Sequence, residues 1–153
     1  MPIKSNRYQS VIDSFHQGEH ARGMGRKQPV VIRRPLVSVV DDDESLRDSL
    51  PDLVREFGYS AQAFSSAEAF LASDYVDRTG CLILDVAMPG MTGPDLQREL
   101  SRRRREIPII FITASTDKTV RTRLLEQGAV ECLFKPFSDT ALLEALNAAI
   151  RVN

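Results

Sequence analysis

Two short apolar runs, Cys81-Leu82-Ile83-Leu84 and Pro108-Ile109-Ile110-Phe111-Ile112, restrict this chain to few folds. Each is too short for an ordinary helix and has no polar residue in alternation, so each predicts a strand buried on both faces. Such strands belong to parallel sheets whose two faces are covered by helices. The rest of the pattern agrees. Leu36–Val40, Ser60–Phe64 and Glu131–Phe134 read as three more strands, and every strand is followed by apolar residues at helical spacing. Leu46, Leu50, Leu53, Val54 and Phe57 form the first such stripe, closed by Gly58 as a C-cap. Pro51 lies inside it and is expected to kink that helix, because it removes one backbone hydrogen bond. A short helix follows over Ser66–Ala72, with Phe70 and Leu71 facing inward, and Pro94 opens a helix carried by Leu96 and Leu100. Val120, Leu124 and Leu125 continue to Gly128, and Leu142, Ala145, Leu146, Ala149 and Ile150 form a last stripe after Ser138. Five strand–helix units give an α/β fold, a doubly wound five-stranded parallel sheet with five helices.

The charge is uneven. Residues 1–35 carry seven Lys/Arg against two Asp/Glu, while residues 36–153 carry thirteen against nineteen. A basic, flexible N-terminal extension (1–35) and an acidic globular domain (36–153) are expected. Within the extension, Ser10–Phe15 could form a transient helical turn and Val30–Ile32 an edge strand. His16 and His20 have the spacing of a helical metal pair but no Cys or carboxylate company, which disfavours a metal site. The extension has no aromatic platform or sustained amphipathic helix, so a solvated tail is favoured over a nucleic-acid or membrane contact. The run Arg102–Arg105 reads as cations at a helix C-terminus rather than as a nucleic-acid site. No run of apolar residues reaches about 18, the length of a membrane span. Nor does the start resemble a signal peptide, so a cytoplasmic location is expected. Cys81 and Cys132 sit in apolar runs and are expected to be reduced, as small hydrophobes.

The chemistry gathers just past the strand ends. Asp41 and Asp42 follow the first strand, Asp85 the third, Thr113 the fourth and Lys135 the fifth. In an open parallel sheet these positions share the edge where ligands bind. Three carboxylates held together raise one another's pKa unless a cation joins them. Mg²⁺, which keeps several waters and needs only one or two carboxylates plus a phosphate oxygen, suits the set better than Ca²⁺. Asp85 is then a candidate nucleophile toward phosphorus, with the Lys135 ammonium and the Thr113 hydroxyl neutralising and bonding the transferred group. Each residue also has an ordinary reading: a helix cap for Asp41–Asp43, a turn residue for Thr113, a surface charge for Lys135.

The acidic cluster Val40–Glu44, the run Leu84–Pro89 with Gly93 downstream, the pair Thr113-Ala114, and Lys135-Pro136-Phe137 together resemble the receiver domains of two-component response regulators. The likeness covers about residues 36–151. It implies a flavodoxin-like sheet of strand order 2-1-3-4-5 and Asp85 as phosphoacceptor. It also implies Asp42 and Asp85 as Mg²⁺ ligands, Asp41 acting through metal-bound water, and the Ala87 carbonyl completing the protein ligands. Thr113 becomes the switch hydroxyl and Lys135 the partner of the phosphate, with a cis Lys135–Pro136 bond. The implied partners are a histidine kinase or phosphotransfer protein, an unknown downstream protein, and a second copy in a phosphorylation-dependent homodimer. Output is expected through the fourth helix, fifth strand and fifth helix, where Phe134 is either a partner contact or a half-buried core residue. No DNA-binding domain is expected in this chain, and the protein is expected to be a switch rather than an enzyme.

Two departures from the family pattern stand out. Cys132 occupies the position, three before the lysine, where many receivers carry an aromatic switch residue. Ala87 and Ser115 are small where some receivers position a hydrolytic water, which implies slow self-dephosphorylation. Two rival readings remain: a receiver cut from a longer transcription factor, and a phosphohydrolase using Asp41-Asp42-Asp43. The second leaves Asp85 unexplained.

Overall fold

A computed structural model describes residues 34–151. The elements alternate as the apolar runs require: β1 (Leu36–Val40), α1 (Glu44–Glu56), β2 (Ser60–Phe64), α2 (Ala67–Leu71), β3 (Thr79–Asp85), α3 (Gly93–Arg102), β4 (Ile109–Thr113), α4 (Lys118–Glu126), β5 (Glu131–Phe134) and α5 (Asp139–Arg151). A 3₁₀ turn, Val76–Arg78, leads into β3. All strand pairs are parallel, in the order β2-β1-β3-β4-β5. The expected turn at Ser10–Phe15, the edge strand at Val30–Ile32 and the His16/His20 pair lie outside the described residues.

The pleat divides the core into two layers. Val37, Val39, Ile83, Ile110 and Ile112 point to the face covered by Leu50 and Val54 of α1 and by Leu142 and Leu146 of α5. Val40, Leu82, Leu84 and Phe111 point to the opposite face, against Phe70, Leu96, Leu100 and Leu124. Side chains of this kind stabilise the fold by about 1.5–3 kcal/mol each when fully buried. Cys81 and Cys132 are both buried free thiols, one in each layer.

β3 begins two residues earlier than the apolar run suggested. Thr79 is polar but buried, because its hydroxyl donates to the Tyr75 carbonyl at 2.7 Å and lies 2.7 Å from the Ser38 hydroxyl. With the Thr79 hydrogen committed to Tyr75, Ser38 is the donor of the second bond. β4 is shifted by one residue, since Thr113 still pairs, with Phe134.

Local chemistry sets the helix ends. Asp43 caps α1 by accepting from Ser45 N at 2.9 Å, and α1 continues through Pro51, which is buried. Thr92 and Asp95 form a reciprocal capping box at the start of α3. Gly58 and Gly128 follow α1 and α4 with φ of 99° and 103°, the left-handed geometry that glycine adopts at little cost.

α3 closes on Arg104 instead, at φ 59°. Arg105 N donates to Leu100 O at 2.8 Å and Arg104 N to Ser101 O at 3.0 Å, the paired bonds of a Schellman end. Arg104→Gly is therefore expected to stabilise the fold by about 0.5–1 kcal/mol in thermal unfolding, as the left-handed penalty of a side chain is removed. The neighbouring arginines make local pairs: Arg102 and Arg103 with Glu99, and Arg105 with Asp77.

Candidate phosphoryl-transfer site

The C-terminal ends of β1, β3, β4 and β5 meet at one edge of the sheet. Asp41 leaves β1 fully buried, its N–H donating to Phe64 O at 3.2 Å and so extending the ladder by one residue. Its Oδ1 accepts from Asp43 N at 2.9 Å, and its carbonyl accepts from the Arg47 guanidinium at 3.1 Å. Asp85 is the last residue of β3, paired with Ile112, and is only 5% exposed. Asp42, by contrast, is exposed.

Lys135 joins these groups. Its N–H donates to Thr113 O at 2.7 Å and the Lys135–Pro136 bond is cis, as the resemblance implied. The ammonium donates to Asp41 Oδ2 at 3.0 Å and lies 3.4 Å from Asp85 Oδ1. Thr113 is buried, and its hydroxyl oxygen accepts from Ser115 N at 3.1 Å. Ala87 is exposed on the loop after β3.

Both pKa values are raised, which disfavours the charge on Asp85 and favours the charge on Lys135. Burial pushes the Asp85 carboxyl up to about 6, and the negative charge of Asp41 adds to the rise, while Lys135 opposes it. Burial disfavours the Lys135 ammonium, yet its hydrogen bond to Asp41 and the charge of Asp85 outweigh that cost and hold its pKa above the usual lysine value. Asp41, Asp42 and Asp85 each offer an oxygen within 4.8 Å of the others. An all-oxygen, all-carboxylate set in which one member resists ionisation fits a hard divalent cation.

Several contacts escaped sequence reasoning. Arg47, one turn into α1, braces the Asp41 backbone; a lone cation just after an acidic cluster was the available signal. Glu68 of α2 accepts from Met91 N at 3.1 Å and so ties down the loop after β3, where Gly90 has φ 73°. Gly93 lies so close to β3 that a side chain there would overlap the Asp85 carbonyl.

A doubly wound sheet whose strand ends bring together two buried aspartates, an exposed one, a threonine and a bridging lysine defines the class of receiver domains. The chain belongs to that family: residues 37–147 match the response regulator receiver domain. It is 47% identical over 116 residues to Nodulation protein W of Bradyrhizobium diazoefficiens, covering 76% of this chain and 51% of that one. With response regulator protein TodT of Pseudomonas putida it shares 41% over 120 residues, 78% of this chain and 53% of the relative. Among solved structures, the response regulator StyR superposes with TM-score 0.72 at 42% identity, over 78% of this chain and 61% of StyR. FixJ-N superposes with TM-score 0.70 at 36% identity, over 78% of this chain and 96% of FixJ-N. The chain thus spans about half the length of the curated relatives it matches. Among the described residues no helix is long and apolar enough to cross a membrane.

Proposed function

We propose that this chain is a Mg²⁺-dependent phosphoryl-accepting switch, charged on Asp85 by a histidine kinase or a phosphotransfer protein. The observation that carries this reading is the Lys135 ammonium set between the carboxylates of Asp41 and Asp85, whose residues lie 94 and 50 positions away along the chain. A carboxylate oxygen of Asp85 attacks the donor's phosphorus, the bond from phosphorus to the donor's nitrogen or oxygen breaks, and the donor leaves with that electron pair. Lys135 offers its ammonium to the equatorial oxygens, and Thr113 turns its hydroxyl hydrogen toward them. Asp42, Asp85 and the Ala87 carbonyl are the ligands we assign to Mg²⁺, with Asp41 holding a coordinated water. The bound ion supplies charge neutralisation for the transferring group.

A phosphoryl group adds roughly 1.5 to 2 negative charges beside Lys135 and Thr113. We assign output to the α4–β5–α5 face. There Cys132 is buried, and its carbonyl accepts from Arg121 Nε at 3.3 Å while Arg121 pairs with Glu131 at 2.7 Å. Phe134 is half-buried beside it. No aromatic ring stands at position 132, and we assign the coupling to Arg121 of α4, which bonds to β5 at the Cys132 carbonyl and Glu131. The activated form binds a downstream protein or a second copy. We take residues 36–153 as this switch, 1–35 as a separate basic extension, and the location as cytoplasmic.

Incubation with acetyl phosphate and Mg²⁺, followed by intact mass, tests the reading: one phosphoryl group is expected, and none when the metal is chelated. A chain that gains no mass under these conditions overturns it. Small residues at Ala87 and Ser115 predict a phosphoryl half-life of many minutes or longer, read by the decay of the same mass shift; decay within seconds contradicts this. A receiver belonging to a longer regulator is the second reading, supported by the half-length match to TodT, and the native stop codon separates the two.

A further inference from the structure

The sheet ends in two edges, β2 and β5. Backbone groups face alternate sides along a strand, so every second residue of an edge strand turns its N–H and C=O away from the sheet. In β2, Ser60 N donates to Pro35 O and Phe64 O accepts from Asp41 N, both on the β1 side, which turns Ala61 and Ala63 outward. At β5, Lys135 N donates to Thr113 O of β4, which turns Phe134 and Cys132 outward. Such a row is a template for a strand of another chain. Neither strand carries a Lys, Arg or Pro of its own, the usual deterrents.

Arginines from the helices meet these outward groups instead. Near the end of α1, the Arg55 fork places one Nη on the Ala61 carbonyl at 2.9 Å and the other on Asp52 at 3.1 Å. Arg121 of α4 does the same on the opposite edge, where Nε donates to Cys132 O at 3.3 Å and an Nη pairs with Glu131 at 2.7 Å. The Glu131 carboxylate also accepts from Cys132 N at 2.8 Å. Both outward groups of Cys132 are therefore taken by side chains of its own chain, as a neighbouring strand would take them. The two edges share no residue, yet each is met by an arginine steadied by a carboxylate.

The Arg55 and Arg121 side chains are 52% and 38% exposed, and ion pairs so open to water add little to stability. What they change is the cost of adding a strand. An incoming strand must displace a guanidinium from its carbonyl or bury it away from water, and burying a charge is expensive. We propose that Arg55 and Arg121 guard the edges of the sheet and keep β2 and β5 from pairing with the same strands of a second copy of this chain. A second copy is the occupant because an edge row of N–H and C=O groups is complementary to its own repeat about a two-fold axis. The guarding is independent of phosphoryl transfer at Asp85.

Sedimentation of the full chain without a phosphodonor tests this. Arg55→Met with Arg121→Met is expected to self-associate roughly tenfold more tightly than wild type, with slower amide exchange at Ala61, Ala63 and Phe134. Arg55→Lys with Arg121→Lys keeps a cation at each edge and should behave as wild type. So should Arg98→Met with Arg123→Met, which removes two exposed arginines away from the edges and controls for added apolar surface. Each single methionine variant opens one edge, and its protection should be confined there: Ala61 and Ala63 for Arg55→Met, Phe134 for Arg121→Met. These single variants decide the matter if the pair does not fold. Association no tighter than wild type in a variant that keeps the native amide spectrum overturns the proposal. So does association of the lysine or control pair, or association without protection of the outward amides.

Discussion

The Asp85→Asn chain is expected to gain no phosphoryl group from acetyl phosphate and Mg²⁺, and without metal to be more stable than wild type. Both effects come from one carboxyl. Uptake is lost because the amide has no anionic oxygen to attack phosphorus, whereas Asp41 is committed to Lys135 and to Asp43 N. Stability rises because the folded protein holds Asp85 at about 6, against an ordinary value of 3.8. A folded-state pKa above the unfolded one means that the native chain binds more protons over that interval. This contribution to stability is therefore present below about 3.8 and lost as pH rises to about 6. The asparagine chain lacks that loss. The gap between the two proteins is expected to be small near pH 4, to open toward pH 6, and to reach roughly 2 kcal/mol at neutral pH in urea unfolding. Mg²⁺ should close it by stabilising wild type alone. A gap of constant size across this range, or one that Mg²⁺ leaves unchanged, contradicts the account.

Gly93→Ala should cost the fold about 3 kcal/mol, the upper part of the range for overpacking a rigid site. The added methyl overlaps the Asp85 carbonyl oxygen, and lies 3.0 Å from Phe111 Cε1 and 3.1 Å from Val86 Cα. Two of those neighbours are backbone atoms, and the Gly93 N–H is held to Val86 O at 3.0 Å, so the crowding has no cheap escape. Gly128→Ala is the control. That glycine has open space but φ 103°, so its cost is conformational and should be about 1 kcal/mol. Equal losses at the two positions would show that contact with β3 is not what requires glycine at 93. Because the crowded oxygen belongs to Asp85, the Gly93 variant should also take up phosphoryl more slowly, while the Gly128 variant keeps the wild-type rate.

The architecture was legible because short-range patterns encode it. Unbroken apolar runs at 81–84 and 109–112 require burial on both faces, and stripes at helical spacing supply the covering layers seen in the two core clusters. Boundaries were less legible where a polar residue is buried by a partner distant in sequence. Thr79 can be buried at the start of β3 because Tyr75 accepts from its hydroxyl and Ser38, 41 residues away, meets it. In the site, the residue types at the strand ends could be read along the chain, and so could their common edge, since parallel strands bring every C-terminal end to one side.

What the chain determined unaided was the sheet, its covering helices and the roster of polar residues at its rim, all consequences of hydrophobic period and strand polarity. Only the tertiary structure decided how those residues use one another. The Lys135 ammonium divides its bonds between Asp41 and Asp85, Arg47 and Glu68 brace neighbouring backbone, and Arg121 bonds to the Cys132 carbonyl. These pairings depend on loop geometry and on burial, which set the direction of a side chain and the strength of its charge; a one-dimensional pattern records neither.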